Sequence, residues 1–265
     1  MRTLAWTMAG VGMAAAAWAA EPKAVPADAP VPAPKGAVIL FDGKDLSQWT
    51  KEDGSPAEWK IADGAAEVHG GGIITKEKFG DCQLHVEFWL PKCPDNVTGQ
   101  ARSNSGVYPQ HRYEVQGLDS YGLAKIEKGD CGAIYSKKVP DVNACTPPET
   151  WQSYDITFKA AKFGADGKKS ENARITVVHN GVKIHDNVEI DGITGGGWPE
   201  TAEPGPLHLQ DHGNPIKYRN VWIVPGEVKM EGGAKAAAAC ACPSGCHCGH
   251  CKSGGTKACK CGAKK

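Results

Sequence analysis

Residues 173–186 read ARITVVHNGVKIHD, and this stretch decides the fold. Two runs suited to strands, ITVVH and VKIHD, flank Asn180-Gly181. Asn-Gly accepts positive φ at both central positions of a type I′ turn, whose twist matches that of two paired strands, so the stretch predicts a β-hairpin. Working outward, the runs AVILFD, AEWKIADGAAEVHG, GIITKEKFGDCQLHVEFWLP, SGVYPQHRYEVQG, CGAIYSKK, WQSYDITFKA and YRNVWIVPG have the same texture. Each is bounded by Gly, Asn, Asp or Pro. No long stretch beyond the N-terminal segment carries a 3.6-residue period, and no internal repeat is present. Many short strands at short spacing predict an all-β sandwich or jelly roll of two antiparallel sheets.

The two ends have a different character. Residues 1–19 combine Arg2, an apolar run and Ala17-Trp18-Ala19, the small-x-small pattern of a cleaved secretory signal, so the mature protein is expected in the periplasm or outside the cell. No stable membrane insertion is expected after cleavage. Residues 20–36 are rich in Pro and Ala and predict a disordered leader. The folded domain is expected over 37–226 and a linker over 227–239. The tail, 240–265, holds seven of the eleven cysteines.

Charge divides along the same lines. All 30 acidic residues lie between Glu21 and Glu231, with 23 basic ones, so this part carries 23 − 30 = −7. The residues after Glu231 hold six lysines and no acid. The acidic body excludes nucleic acid as a natural partner.

Within the body, RYEVQGLDSYG (112–122) sets Glu114, Gln116 and Asp119 at i, i+2 and i+5. In a regular strand Asp119 would face away from Glu114. A bulge at Gly117-Leu118 would return it to the same face, giving three polar groups in a row. Arg102 and Asn104 precede this strand, and Tyr135, Trp151, His208, Gln210, His212 and Arg219 follow it. In LHLQD, His208 and Gln210 share one face and Leu207 and Leu209 the other. Planar donors and acceptors beside aromatic rings suit a polyhydroxylated ligand; a solvated polar face of a sandwich has the same composition.

The motifs FDGKDLSQW, GDCQLHVEF, RSNSGVY, RYEVQGLD, CGAIY, ETWQSYDI, NGV and GPLHLQDHGNPIKYRNVWI occur in this order. As an ordered set over about Val38 to Pro225 they resemble the 3-keto-disaccharide hydrolase domain family. The resemblance implies a concanavalin A-like jelly roll and a carbohydrate substrate. The same fold houses the family 16 glycoside hydrolases, whose catalytic strand reads Glu-x-Asp-x-x-Glu; here Glu114, Gln116 and Asp119 stand at that spacing. Glu114 and Asp119 are therefore the expected catalytic pair. Arg102, Asn104, Gln116, Tyr135, Trp151, His208, Gln210, His212 and Arg219 are the expected substrate-binding residues. The amide in the middle and the shorter second acid depart from the family 16 pattern and weaken a double displacement across two carboxylates about 5–5.5 Å apart. A 3-keto sugar offers another route. Its ketone acidifies the C2 proton, so one base can start an elimination that water addition completes. Arg102, His212 or Arg219 would steady the enolate, or a divalent metal held by Glu114, Asp119 or a histidine would replace that cation.

Two other classes fit the same features. One is a non-catalytic, lectin-like carbohydrate-binding module, since fold does not fix function. The other is a metal-handling envelope protein acting through its tail. There Cys240, Cys242, Cys246, Cys248, Cys251, Cys259 and Cys261 form CxC, CxxxC and CxxC pairs with His247 and His250 among them, a donor set for Zn²⁺ or Cu⁺. In the body, Cys82 and Cys93 bracket one strand, roughly 35 Å apart at ~3.3 Å per residue, too far for a bridge. Cys131–Cys145, or Cys93 with either, is open to an exported protein, with Cys82 a buried thiol.

Overall fold

The structure, a computed structural model, describes residues 23–26 and 28–230. The expected signal segment, its cleavage point and the cysteine-rich tail lie outside the described residues. The first half forms strands β1 Val38–Phe41, β2 Trp49–Thr50, β3 Lys60–Ala62, β4 Ala65–Glu67, β5 Ile73–Phe79 and β6 Cys82–Trp89. After them come β7 Ser105–Tyr108, β8 Val115–Gly117, β9 Trp151–Lys159, β10 Lys162–Phe163 and β11 Lys169–Glu171. The last are β12 Ala173–His179, β13 Val182–Ile190, β14 Gly205–Leu209 and β15 Lys217–Pro225.

The hairpin expected at 173–186 is β12–β13. Asn180 has φ 51° and Gly181 φ 79°, the two positive values a type I′ turn demands. β12 buries alternate residues throughout, from Ala173 to His179. From this hairpin the larger sheet runs β13-β12-β9-β6-β15-β4-β3, with β1 also on β15. The smaller sheet runs β2-β5-β14-β7-β8, and its pairs are antiparallel like those of the first. Phe88, Tyr154, Phe158 and Ile175 of the larger sheet and Ile73, Val107, Val115, Leu207 and Leu209 of the smaller belong to one buried core. Each such side chain contributes about 1.5–3 kcal/mol by leaving water. The chain is a concanavalin A-like jelly roll, as the sequence implied.

The leader differs from expectation. Its described residues are bonded to the larger sheet: Lys23 N–H donates to Asn180 O at 3.0 Å and Val25 N–H to Trp151 O at 2.8 Å. Val31 N–H donates to the Glu87 carboxylate at 2.8 Å, and Val25 is buried. A Pro-rich strand lacks donors of its own, yet its carbonyls remain good acceptors, and Arg219 and Asn220 use those of Pro26 and Val31. The leader is a strap. None of the four body cysteines is bridged. Cys93 bonds Ser103 and Cys131 bonds the Tyr154 hydroxyl, while burial pushes the Cys82 thiol up to about 12.

Candidate active site

Strands β7 and β8 carry the centre of the site, joined by a tight turn at Pro109–His111. They pair in regular register up to Ser105–Gly117. Val115 and Leu118 both enter the core, so the side-chain alternation breaks just where the ladder ends. The expected bulge is thus the end of the strand. Glu114 and Gln116 share the face away from the core.

That face forms a depression of about 140 Å³ lined by Gln100, Asn104, Tyr108, Glu114, Gln116, Tyr135, Gly195, Gly196, Gln210 and His212. Three amides have their nitrogens committed inside the protein. Asn104 Nδ2 donates to Gln100 O at 2.8 Å, Gln116 Nε2 to Gln100 Oε1 at 2.9 Å, and Gln210 Nε2 to the Tyr108 hydroxyl at 3.0 Å. These bonds fix which way each amide points. The oxygens Asn104 Oδ1, Gln116 Oε1 and Gln210 Oε1 are then left buried, with no partner among the described residues. Buried acceptors without donors are costly, and a ligand rich in hydroxyl groups satisfies all three.

Glu114 lies among them, 3% exposed. Burial pushes its carboxyl up to about 7, with a hydrogen bond from Tyr108 offsetting part of that shift. No lysine or arginine lines the depression. A carboxyl poised near neutrality is suited to taking and returning a proton. Gly106 makes room for it: a Cβ there would stand 2.5 Å from Glu114 Oε1 and 2.6 Å from the Tyr108 ring.

Of the residues singled out in the sequence, Asn104, Gln116, Tyr135, Gln210 and His212 line the same depression as Glu114, and the others do not. Asp119 lines a neighbouring depression with Arg102, whose Nη2 donates to Asp119 Oδ2 at 2.6 Å. The backbone N–H of Asp119 also donates to Arg102 O, and its carboxylate accepts from Tyr121 N–H. This local clamp, just past the end of β8, holds both side chains apart from Glu114's lining. Trp151 and Arg219 belong to the larger sheet, where the guanidinium stacks 4.2 Å from the indole and Arg219 Nε bonds Glu87 at 2.6 Å. His208 is on the right sheet, yet its ring packs against His111 and Tyr108 and does not line the depression. Tyr108 and Gly106 were missed, although the period of two from Asn104 pointed to both. Gln100 and the Gly195-Gly196 loop carried no such signal.

An all-β sandwich with a near-neutral buried carboxyl among unpaired amide oxygens defines a carbohydrate-active, glycosyl hydrolase-like domain. The chain belongs to the family described as the 3-keto-alpha-glucoside-1,2-lyase-like domain, whose pattern matches residues 36–224. A candidate glycosyl hydrolase from Parabacteroides distasonis ATCC 8503 is 41% identical, with a TM-score of 0.67 over 73% of this chain and 85% of that one. A second candidate glycosyl hydrolase from that organism, 20% identical, has a TM-score of 0.56 over 73% of this chain and 95% of its own. It shares the fold. No curated protein matches the chain.

Proposed function

We propose that the domain cleaves the glycosidic bond of 3-keto-glycosides by elimination, with Glu114 as the general base. The observation that carries this reading is the buried Glu114 carboxyl, held near neutrality beside three unpaired amide oxygens. The Glu114 carboxylate takes the C2 proton, and the C2–H electrons pass into the enolate of the C3 ketone. His212 and Tyr135, which line the same depression, would supply donors to the enolate oxygen. The enolate then collapses, C1=C2 forms, and the C1–O bond breaks with its electrons leaving on the aglycone oxygen, which takes a proton from a water molecule; the hydroxide so formed is what adds at C1. Addition of water at C1, with Glu114 returning its proton to C2, makes the net reaction a hydrolysis. One base suffices, so the Asp119–Arg102 clamp shapes the neighbouring depression and takes no proton.

Export, expected from residues 1–19, suits a protein that meets glycosides outside the cytoplasm. Comparing variants tests the assignment. Glu114→Gln keeps the shape of the site, and turnover of a 3-keto-disaccharide should fall by about 10²-fold or more, the scale of general acid–base groups. Asp119→Asn should cost less than about tenfold. Equal large losses in both would restore a carboxylate pair. A purified wild-type domain that binds 3-keto-glycosides and releases no product would make it a lectin-like module, since the amide oxygens serve binding equally well.

A further inference from the structure

A second cluster lies beyond the ring of Tyr108. The His208 ring packs 4.9 Å from Tyr108 and 3.9 Å from His111, and His111 in turn lies 4.2 Å from Trp198. Both histidines are buried, 5% and 1% exposed, and each has its Nδ1 without a hydrogen-bond partner among the described residues. His111 Nε2 stands 3.6 Å from a carboxylate oxygen of Glu52, whose side chain is half exposed.

Several features hold this group in place at a cost. Gln110 and His111 both adopt the left-handed conformation, at φ 55° and 53°, a strained choice for two successive residues with side chains. Gln110 Nε2 bonds Phe79 O and its Oε1 accepts from Arg112, which pins the turn. Gly72 clears the space beside His208, where a Cβ would come 2.5 Å from Nε2.

We propose that Glu52, His111 and His208 form a binding site for a divalent transition metal of the zinc type. One ligand atom from each residue lies within 4.8 Å of the other two. Tetrahedral zinc with bonds of about 2.0–2.2 Å spaces its ligand atoms about 3.3 Å apart, so an inward shift of at most about 1.5 Å completes the geometry. Two imidazoles and one carboxylate are a zinc donor set, and they leave a fourth position for water on the exposed Glu52 side. A bound ion ties the 51–56 turn, the Pro109–His111 turn and β14 together behind Tyr108. The proposal does not depend on the chemistry assigned to Glu114.

The test uses the full-length chain with its seven tail cysteines changed to serine, so that thiolates do not compete. Zinc uptake is counted after dialysis, and Co²⁺ is added in parallel for its visible spectrum. One equivalent per chain and a cobalt spectrum without thiolate charge-transfer bands are expected. Glu52→Gln should weaken zinc binding at least about tenfold, the scale on which even outer-sphere groups act. His208→Gln should abolish it. No uptake by the parent, or unchanged uptake in Glu52→Gln, would overturn the site. If His208→Gln fails to fold by circular dichroism, Glu52→Gln decides alone, because its side chain is half exposed.

Discussion

Under the proposed chemistry, Glu114 concentrates the function of the site in one titration. Its pKa of about 7 lies above the usual 4.5, so the folded state holds the proton more tightly than the unfolded chain. The stability this contributes is complete below about pH 4.5 and is lost as pH rises through 7. Above pH 7 the isosteric Glu114→Gln should therefore be more stable than wild type by on the order of 3 kcal/mol, at about 1.36 kcal/mol for each tenfold change in proton affinity between 4.5 and about 7. Catalysis runs the other way: turnover should rise through about pH 7 and then level off, since only the carboxylate is a base. Thermal melts and rate profiles across pH 5–9 check both signs. A stability that does not differ at pH 8 would mean that Glu114 is not held near neutrality. Glu114 and Gln116 were legible in the sequence because strand alternation is local. The placement of Asp119 was not, because it depends on where pairing with β7 stops and on Arg102 closing over it.

Among elements, β6 and β15 show the limit of alternation as a guide. Period two says that Arg219 leaves the core, and it says nothing about which of two sheets β15 joins. Arg219 pairs Glu87 on β6, whose side chain is 0% exposed, and together with Trp151 it forms a structural pier far from the amides. Removing one partner of a buried ion pair leaves the other uncompensated, so Arg219→Ala should cost about 3 kcal/mol or more. KM and turnover measured on the folded fraction should not change. A variant that melts like wild type but has lost activity would return Arg219 to the site. The β12–β13 hairpin, by contrast, was fully legible, because Asn180-Gly181 specifies its own turn without help from distant residues.

Across the whole chain, composition predicts a boundary between body and tail that the described strands do not address. The thiols from Cys240 onward lie outside the described residues, and their spacing alone carries the expectation of soft-metal binding. A reduced full-length chain should take up more zinc or copper than one whose seven tail cysteines are serine; equal uptake would remove the tail as a donor. The strap has a different consequence, for the order in which the protein matures. Pro26 meets Arg219, and Val31 meets Asn220, across sequence separations of 193 and 189 residues. Contacts this non-local form late, because their loop-closure entropy comes before any reward. The leader, synthesised before the body, must wait for nearly the last strand, and the Glu87 carboxylate likewise stays without its Arg219 partner until β15 arrives. A chain emerging from any narrow exit, the ribosome's included, cannot close its larger sheet while it is still threading. Folding is therefore deferred until the whole domain is through.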